Sequence, residues 1–202
     1  DGDCYDITSN ANGMVTNLTS CTITHWPFVF VESDTGAYFF QPTLAQTTRG
    51  HMSNYGSYAN QHFDPPDYIQ VDSPANQVDG LLQFEIGPLA SVGTAQKAYL
   101  GLYAYYVGSP GGDPPGHVDL FANQGPFDPA SVTWNNAPAY GPLISTAYTQ
   151  NIGWYAFDIT SIYNGWVQSP GENYGVRLAP REHVDGDGGY DGVATLFYTA
   201  AE

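Results

Sequence analysis

The sequence predicts an all-β protein, a jelly-roll β-sandwich with one short helix and an extra N-terminal strand segment. Runs rich in Tyr, Phe, Val and Ile, the residues that favour strands, recur along the chain. They are interrupted every few residues by 23 Gly and 15 Pro. Helical periodicity is almost absent, and 202 residues suit one large sandwich better than two small domains.

The predicted strands are short and are joined by turn-rich connections, as is typical of a sandwich or barrel. They cover residues 22–31, 68–71, 81–86, 98–107, 117–121, 154–159, 174–178 and 194–199.

One stretch has a helical pattern. Asp158 or Thr160 can cap its start, and Ile162, Tyr163 and Trp166 share one face. The Ser-Pro-Gly sequence that follows ends it. We therefore expect one or two helical turns that cover an end of the sandwich.

The N-terminal residues have the features of an exported protein. Cys4 and Cys21 are the two cysteines, and outside the cell they are expected to form one disulfide worth roughly 3 kcal/mol. Asn17 opens the single Asn-x-Ser/Thr sequon, which predicts a glycan in that loop. The chain starts at Asp1, as expected after signal-peptide cleavage, so we expect an extracellular or cell-surface location.

The charge balance limits the range of partners. Four Lys and Arg stand against 20 Asp and Glu, giving a formal net charge of −16. So few cations cannot neutralise phosphates, which excludes nucleic acid and anionic membrane surfaces as partners. No apolar run approaches the ~18 residues of a membrane span. An acidic surface instead suits divalent cations, high salt or simple solubility.

Several stretches occur in the order found in a known family. The chain resembles DNRLRE domains, also called carbohydrate-binding module family 96. SVTWNNAP at 131–138 is close to the "TWNNxP" signature of the family, and WYAFDIT at 154–160 is close to its "FDVT" segment. Weaker matches are DGLLQFEIGPL at 79–89, AYLGLY at 98–103, NYGVRL at 173–178 and FYTAAE at 197–202. The resemblance implies a jelly-roll sandwich more firmly than it implies a ligand.

The chain departs from the family pattern at both ends, which suggests an assembly mechanism. The family runs past the FYTAAE-like segment into one more strand, whereas residues 1–33 have no counterpart in it. We therefore divide the chain into an N-terminal extension, 1–33, and a DNRLRE-like domain, 34–202. The extension can fill the empty edge within its own chain, or in a neighbour to form a head-to-tail polymer. The predicted assembly strand carries Ile23, Trp26, Phe28 and Phe30.

No catalytic motif occurs, so we expect no enzyme activity. The sequence contains no G-x-S-x-G, H-E-x-x-H, P-loop or dinucleotide fingerprint. Asp185, Asp187 and Asp191 lie on a Gly-rich loop and can converge on a calcium ion, although Asp-Gly repeats also form ordinary turns. Tyr105, Tyr140 and Trp154 are candidates for stacking against sugars.

Two functions from different classes fit these observations. The preferred one is an extracellular structural subunit that polymerises with copies of itself by donating its N-terminal strand. The alternative is a carbohydrate-binding module that binds polysaccharide. Such modules are usually attached to a catalytic domain, and none is recognised in this sequence.

Overall fold

The computed structural model describes most of the chain. Side chains and backbone are described for 25–63, 68–72, 77–108, 116–181 and 194–198, and the backbone alone for 7–9 and 15–18. No helix in these ranges has the length and hydropathy needed to span a membrane.

The fold is an all-β sandwich, as the sequence predicts. Two antiparallel sheets pack face to face, and a small hairpin precedes them. The six-stranded sheet contains β3 (Phe28–Ser33), β4 (Gly36–Phe40), β6 (Tyr68–Val71), β8 (Lys97–Gly108), β11 (Gly153–Asp158) and β13 (Ala194–Tyr198). The five-stranded sheet contains β5 (Thr47–Ser53), β7 (Val78–Phe84), β9 (Gly116–Asn123), β10 (Tyr140–Thr149) and β12 (Val176–Pro180). The hairpin consists of β1 (Ile7–Ser9) and β2 (Val15–Leu18), and β2 lies against β11.

The alternation of residues along β8 decides which side chains enter the core. Its even-numbered residues from Ala98 to Ala104 are fully buried between the sheets, whereas Tyr99, Tyr103 and Tyr105 point outward. Full burial of a Leu in such a core contributes about 1.5–3 kcal/mol. Phe157 of β11 joins this core.

The predicted helix is present as α1, Thr160–Gln168. Asp158 Oδ1 accepts hydrogen bonds from the Thr160 backbone N–H at 2.9 Å and from its hydroxyl at 2.7 Å. Tyr163 and Trp166 are buried and Ile162 packs against the core. The helix therefore closes one end of the sandwich.

Trp134 belongs to a second hydrophobic cluster and not to the main core. The loop between β9 and β10 folds over the outer face of the five-stranded sheet, where Trp134 packs with Met52, Leu81 and Val132. This second cluster forms because Met52 and Leu81 point away from the sandwich interior, so that their apolar side chains need a cover. Asn136 forms the predicted turn, accepting the Thr133 N–H at 2.6 Å.

The N-terminal strand pairs within its own chain. β3 lies between β4 and residues 97–101 of β8. Because β3 and β11 both pair with residues 99–101, they lie on opposite edges of β8; β11 and β13 are also on opposite edges, since both pair with Ala104. β3 and β13 therefore share one edge of β8, end to end.

Both faces of β3 are apolar, and an assembly role for Phe28 and Phe30 stays a prediction. Val29 and Val31 enter the core, whereas Phe28 and Phe30 are on the outer face of the sheet and are buried there. Trp26 precedes the strand. The strand begins at Phe28 because Pro27 has no N–H to donate to a ladder.

Candidate functional site

A row of aromatic side chains crosses the outer face of the six-stranded sheet. Neighbouring ring centroids are between 4.3 and 6.2 Å apart, so the rings form one continuous surface, which we term the outer aromatic row. Its members, in spatial order, are Phe39, Phe28, Trp154, Tyr103, Tyr198, Tyr105 and Tyr68. All but Phe28 are partly exposed.

The row exists because outward positions of paired strands carry aromatic residues. Tyr103 and Tyr105 are two residues apart on β8 and so face the same way. Trp154 is directly opposite Tyr103 in the ladder. A register shift leaves Tyr105 without a direct partner on β13, and the following residue, Tyr106, is 49% exposed.

Three tyrosines and a histidine form a stack within this face. Tyr105 and Tyr198 lie 4.3 Å apart at 27°, Tyr198 and Tyr103 lie 6.2 Å apart at 22°, and His25 is 4.1 Å from Tyr103. Because stacked rings cover one another's faces, the stack presents ring edges and phenol hydroxyls to the solvent. Burial, with smaller contributions from Tyr68 and Tyr198, raises the pKa of Tyr105 to about 12. The Tyr105 hydroxyl is therefore a neutral donor and acceptor at ordinary pH.

Trp154 rests on a packed aromatic base. The Phe28 ring covers Gly101, where an added Cβ would be 2.2 Å from two ring atoms. Phe28 is 0% exposed and lies 5.0 Å from Trp154 at an interplanar angle of 56°. Tyr103 contacts the indole at 77°. Neither of these neighbours is parallel to the indole, which is partly exposed above the sheet.

Tyr140 is on the opposite side of the molecule. It belongs to the five-stranded sheet, and its hydroxyl donates to the buried carboxylate of Asp79. Arg177 lies 3.7 Å from the Tyr140 ring centroid and pairs with Asp79 at 2.5 Å. Burial raises the pKa of Asp79, which Arg177 opposes, and burial together with Asp79 raises that of Tyr140. The structure therefore brings Tyr105 and Trp154 into one surface, whereas Tyr140, which is 37% exposed, lies on the other sheet and contacts the buried Asp79.

A groove of about 370 Å³ lies at one end of the five-stranded sheet. Two of its polar lining residues make internal hydrogen bonds: Gln83 Nε2 donates to the Asn173 carbonyl and Asn173 Nδ2 to the Phe84 carbonyl. Gln46 accepts hydrogen bonds from Thr43. The groove thus offers few free donors and no exposed ring platform, unlike the outer aromatic row.

Several predicted site residues lie outside the described ranges, and their roles stay predictions. They are Cys4 and Cys21, the assembly-strand residue Ile23, and the candidate calcium ligands Asp185, Asp187 and Asp191. Asn17 lies in β2, opposite Thr8, and its glycosylation is also still a prediction. Within the described ranges, no group of three or more His, Cys, Asp or Glu side chains is arranged to hold a metal ion.

Part of the row was not predicted from the sequence. Tyr105 and Trp154 were sugar-stacking candidates, whereas Tyr198, Tyr68 and Phe39 were not. A signal was present, since Tyr99, Tyr103 and Tyr105 all occupy odd-numbered positions of one predicted strand and so share a face. The contributions of other strands depend on register. The sandwich, and not the local pattern, brings these rings together.

Comparison with known proteins agrees with the fold. No curated protein matches the chain. A family model, carbohydrate-binding module family 96, matches residues 51–184, about two thirds of the sequence. The match includes Trp154, Tyr103 and Tyr105, whereas Phe28 and Tyr198 lie outside it. On this match, and in agreement with its two-sheet architecture, the chain belongs to carbohydrate-binding module family 96.

Proposed function

We propose that this protein is a non-catalytic, extracellular module that binds polysaccharide on the outer aromatic row. One observation carries the proposal: Trp154 is partly exposed on the outer face of the sheet and contacts the Tyr103–Tyr198–Tyr105 stack. Family membership independently supports carbohydrate as the ligand class.

The row offers two complementary interactions to a sugar chain. The indole of Trp154 provides an apolar surface for the C–H groups of a pyranose ring, and its rigid base of Phe28 and Gly101 holds it in place without a large entropy cost. The phenol hydroxyls of the stack can donate to and accept from sugar hydroxyls. Sugars that extend along the sheet would contact both parts of the row.

The test compares Trp154→Ala with a matched aromatic control, Tyr148→Ala. Tyr148 is a partly exposed ring on the other sheet, where it packs on His117. Binding is measured on a glycan array and by affinity electrophoresis, with folding checked by circular dichroism. We expect Trp154→Ala to lose at least about tenfold in affinity, a loss equivalent to about 1.4 kcal/mol, and Tyr148→Ala to bind normally. Equal binding by both variants would contradict the proposal.

Assembly by strand exchange is a second candidate. It is favoured by the position of β3, which continues the line of β13 along β8. The exchanged unit would have to be larger than the strand itself, because β3 and β4 are joined through Asp34 and Thr35 and are paired to each other. A swap would therefore move the whole segment to Phe40, with its hinge at 41–43.

Cysteines placed at Glu32 and Lys97, which are opposite each other in the ladder, distinguish the two arrangements. Oxidised Glu32→Cys/Lys97→Cys protein run on a denaturing gel without reductant gives cross-linked monomers if β3 pairs within its own chain. A ladder of covalent oligomers, absent from each single variant, would instead support exchange between copies.

The extracellular features complete the proposal. We propose a Cys4–Cys21 disulfide, a glycan at Asn17 and a calcium ion at Asp185, Asp187 and Asp191. Mass spectrometry of the native protein under non-reducing conditions tests the first two, and calorimetric titration with calcium tests the third. An Asp187→Asn variant that binds calcium unchanged would contradict the calcium site.

A further inference from the structure

We infer that the protein has a second sugar-binding site, at the margin of the sandwich, in the segment that follows β5. β5 is the last strand of the five-stranded sheet, β6 is the last strand of the six-stranded sheet, and the two contact each other. We term the site, which consists of Tyr55, Tyr58, Asn60, Gln61 and Asn135, the loop site. The inference rests on the proposed function for its ligand class and adds a place outside the outer aromatic row.

The loop site is built on a 3₁₀ helix, Gly56–Asn60, that presents two tyrosine rings. The Tyr58 N–H donates to the Tyr55 carbonyl and the Gln61 N–H to the Tyr58 carbonyl, each at 2.9 Å. Because side chains three residues apart eclipse in a 3₁₀ helix, Tyr55, Tyr58 and Gln61 line one side of it. Tyr55 is 56% exposed and Tyr58 is 43% exposed, so both are more exposed than any ring of the outer aromatic row.

The two tyrosine rings are offset and are supported from one side. Their centroids are 6.0 Å apart at an interplanar angle of 26°, so nearly parallel rings are displaced sideways and leave much of each face open. Phe63 lies 6.1 Å from Tyr58 and 4.8 Å from His51, and His51 lies 6.3 Å from Tyr68. These rings support the tyrosine pair and connect it to Tyr68, the end of the outer aromatic row.

Two asparagine amides at this helix provide hydrogen-bonding groups. Asn135 Nδ2 donates to Asn60 Oδ1 at 2.7 Å, and the Asn135 backbone N–H donates to the Ala59 carbonyl at 3.2 Å. Both asparagines are exposed, and within the described part of the chain neither side-chain amide makes a further hydrogen bond. Asn60 Nδ2 is therefore left as a donor and Asn135 Oδ1 as an acceptor. This combination matches sugar hydroxyls, each of which both donates and accepts.

The size and chemistry of the loop site fit a single sugar ring. Residues 54–63 contain no Asp, Glu, Lys or Arg, so a ligand is held there by ring contacts and amide hydrogen bonds. Tyr with Asn, Ser and Gly combines rigid rings with adaptable hydrogen bonding. An aromatic ring supplies about 150–250 Å² when it is fully buried. Two rings are thus well short of the roughly 800 Å² that a stable protein partner covers.

Two sites on one molecule change how the protein binds a polymer. A polysaccharide repeats the same unit, so one polymer chain can occupy the loop site and the outer aromatic row together. The second contact is then intramolecular, which raises the affinity for the polymer over that for a short oligosaccharide by about a hundredfold or more.

The experiment is an NMR titration of the isotopically labelled full chain with tetrasaccharides of β-glucan, mannan, xylan and alginate. The side-chain amides of Asn60 and Asn135 report on the loop site, and the backbone amides of Tyr103 and Trp154 report on the row. For at least one tetrasaccharide, we expect both groups of signals to shift in the native protein. Only the row should respond in Tyr55→Ala/Tyr58→Ala, and only the loop site in Trp154→Ala.

The outcomes separate this inference from the proposed function. Shifts confined to the row in every titration overturn the loop site and leave the proposed function standing, and loop-site shifts that persist in Tyr55→Ala/Tyr58→Ala also overturn it. Shifts confined to the loop site support the inference and refute the row as the binding surface. Absence of shifts from both groups refutes both.

Affinity electrophoresis in the matching polymer tests the joint use of the two sites. We expect Tyr55→Ala/Tyr58→Ala to bind the polymer about tenfold or more weakly than the native protein. Tyr148→Ala, the partly exposed ring on the five-stranded sheet, is the matched control and should bind as the native protein does. Circular dichroism checks that each variant is folded. Native polymer affinity in the folded double variant would show that the loop site does not contribute to binding.

Discussion

Gly101 is the position where a single methyl group tests the base of the proposed site. An added Cβ would lie 2.2 Å from two atoms of the Phe28 ring, far inside contact distance. The backbone itself tolerates alanine, because Gly101 is not one of the glycines with positive φ. The cost of Gly101→Ala therefore comes from the collision with Phe28, which in turn supports Trp154.

The size of the Gly101–Phe28 interaction can be worked out from a double-mutant cycle that combines Gly101→Ala with Phe28→Ala. In the native background, overpacking at Gly101→Ala should cost about 1–3 kcal/mol of unfolding free energy. Phe28→Ala alone should cost about 3–5 kcal/mol, since the ring is fully buried. With the ring removed, Gly101→Ala should instead stabilise by about 0.5–1 kcal/mol, because alanine is favoured over glycine in a strand. The expected coupling is therefore about 1.5–4 kcal/mol.

Urea unfolding followed by tryptophan fluorescence measures all four corners of the cycle, and sugar affinity is measured on the two folded single variants. A Gly101→Ala cost that is the same with and without Phe28 would refute the packing of this ring over the glycine. Affinity unchanged in a destabilised Gly101→Ala protein would show that the base does not position Trp154.

Three further predictions concern other parts of the fold. Asp79→Asn should lower the free energy of unfolding, measured in urea, by about 3–5 kcal/mol, because it leaves Arg177 buried without its counter-charge. Asp119→Asn should lower it by only about 1 kcal/mol, because Arg181, the partner of Asp119, is 40% exposed. Burial raises the pKa of Tyr105 from 10.0 to about 12, so its neutral form stabilises the fold below pH 10 and this contribution is lost as the pH rises to about 12. A spectrophotometric titration should show a phenolate forming near pH 12 in the native protein, and this step should be absent from Tyr105→Phe. Tyr155→Phe should cost about 1–3 kcal/mol, because the fully buried hydroxyl accepts from two backbone N–H groups and donates to a carbonyl.

Strands with one strong apolar face were predictable from the sequence, whereas β5 and β10 were not. The prediction for 68–71 matches β6, and the run at 98–107 falls within β8. β10 was missed because it contains Gly141 and Pro142 and is exposed over much of its length, as an edge strand is. β5 was missed because its seven residues include Arg49 and His51, so the alternation of apolar residues is weak.

The direction of the N-terminal strand shows a physical limit of sequence patterns. Phe28 and Phe30 alternate with Val29 and Val31, so both faces of the strand are apolar. Period-two alternation assigns residues to two faces but does not say which face is the core. In the structure Val29 and Val31 enter the core, and Phe28 lies under the outer aromatic row beside Trp154.

The same limit explains the candidate site. Trp154 and Tyr105 were predicted from residue type alone, and both lie in the row. Tyr140 has the same chemistry but is on the other sheet, engaged with Asp79. Which aromatic residues become neighbours depends on sheet register and on the order of strands, and both are set by pairings between residues far apart in sequence.

The end-to-end arrangement of β3 and β13 determines how a mechanical load would pass through the protein. Phe28 pairs with Gly101 and Phe197 pairs with Ala104, so the start of β3 and the end of β13 meet within about 10 Å on one edge of β8. A pull applied through the segments before Phe28 and after Tyr198 would enter and leave the fold at nearly the same point. The tension would peel two short strands from β8, and the five-stranded sheet would lie outside the load path. Force applied to an anchored chain would therefore act first on the strands beside Trp154. Ligand binding at Trp154 would then depend on the applied force.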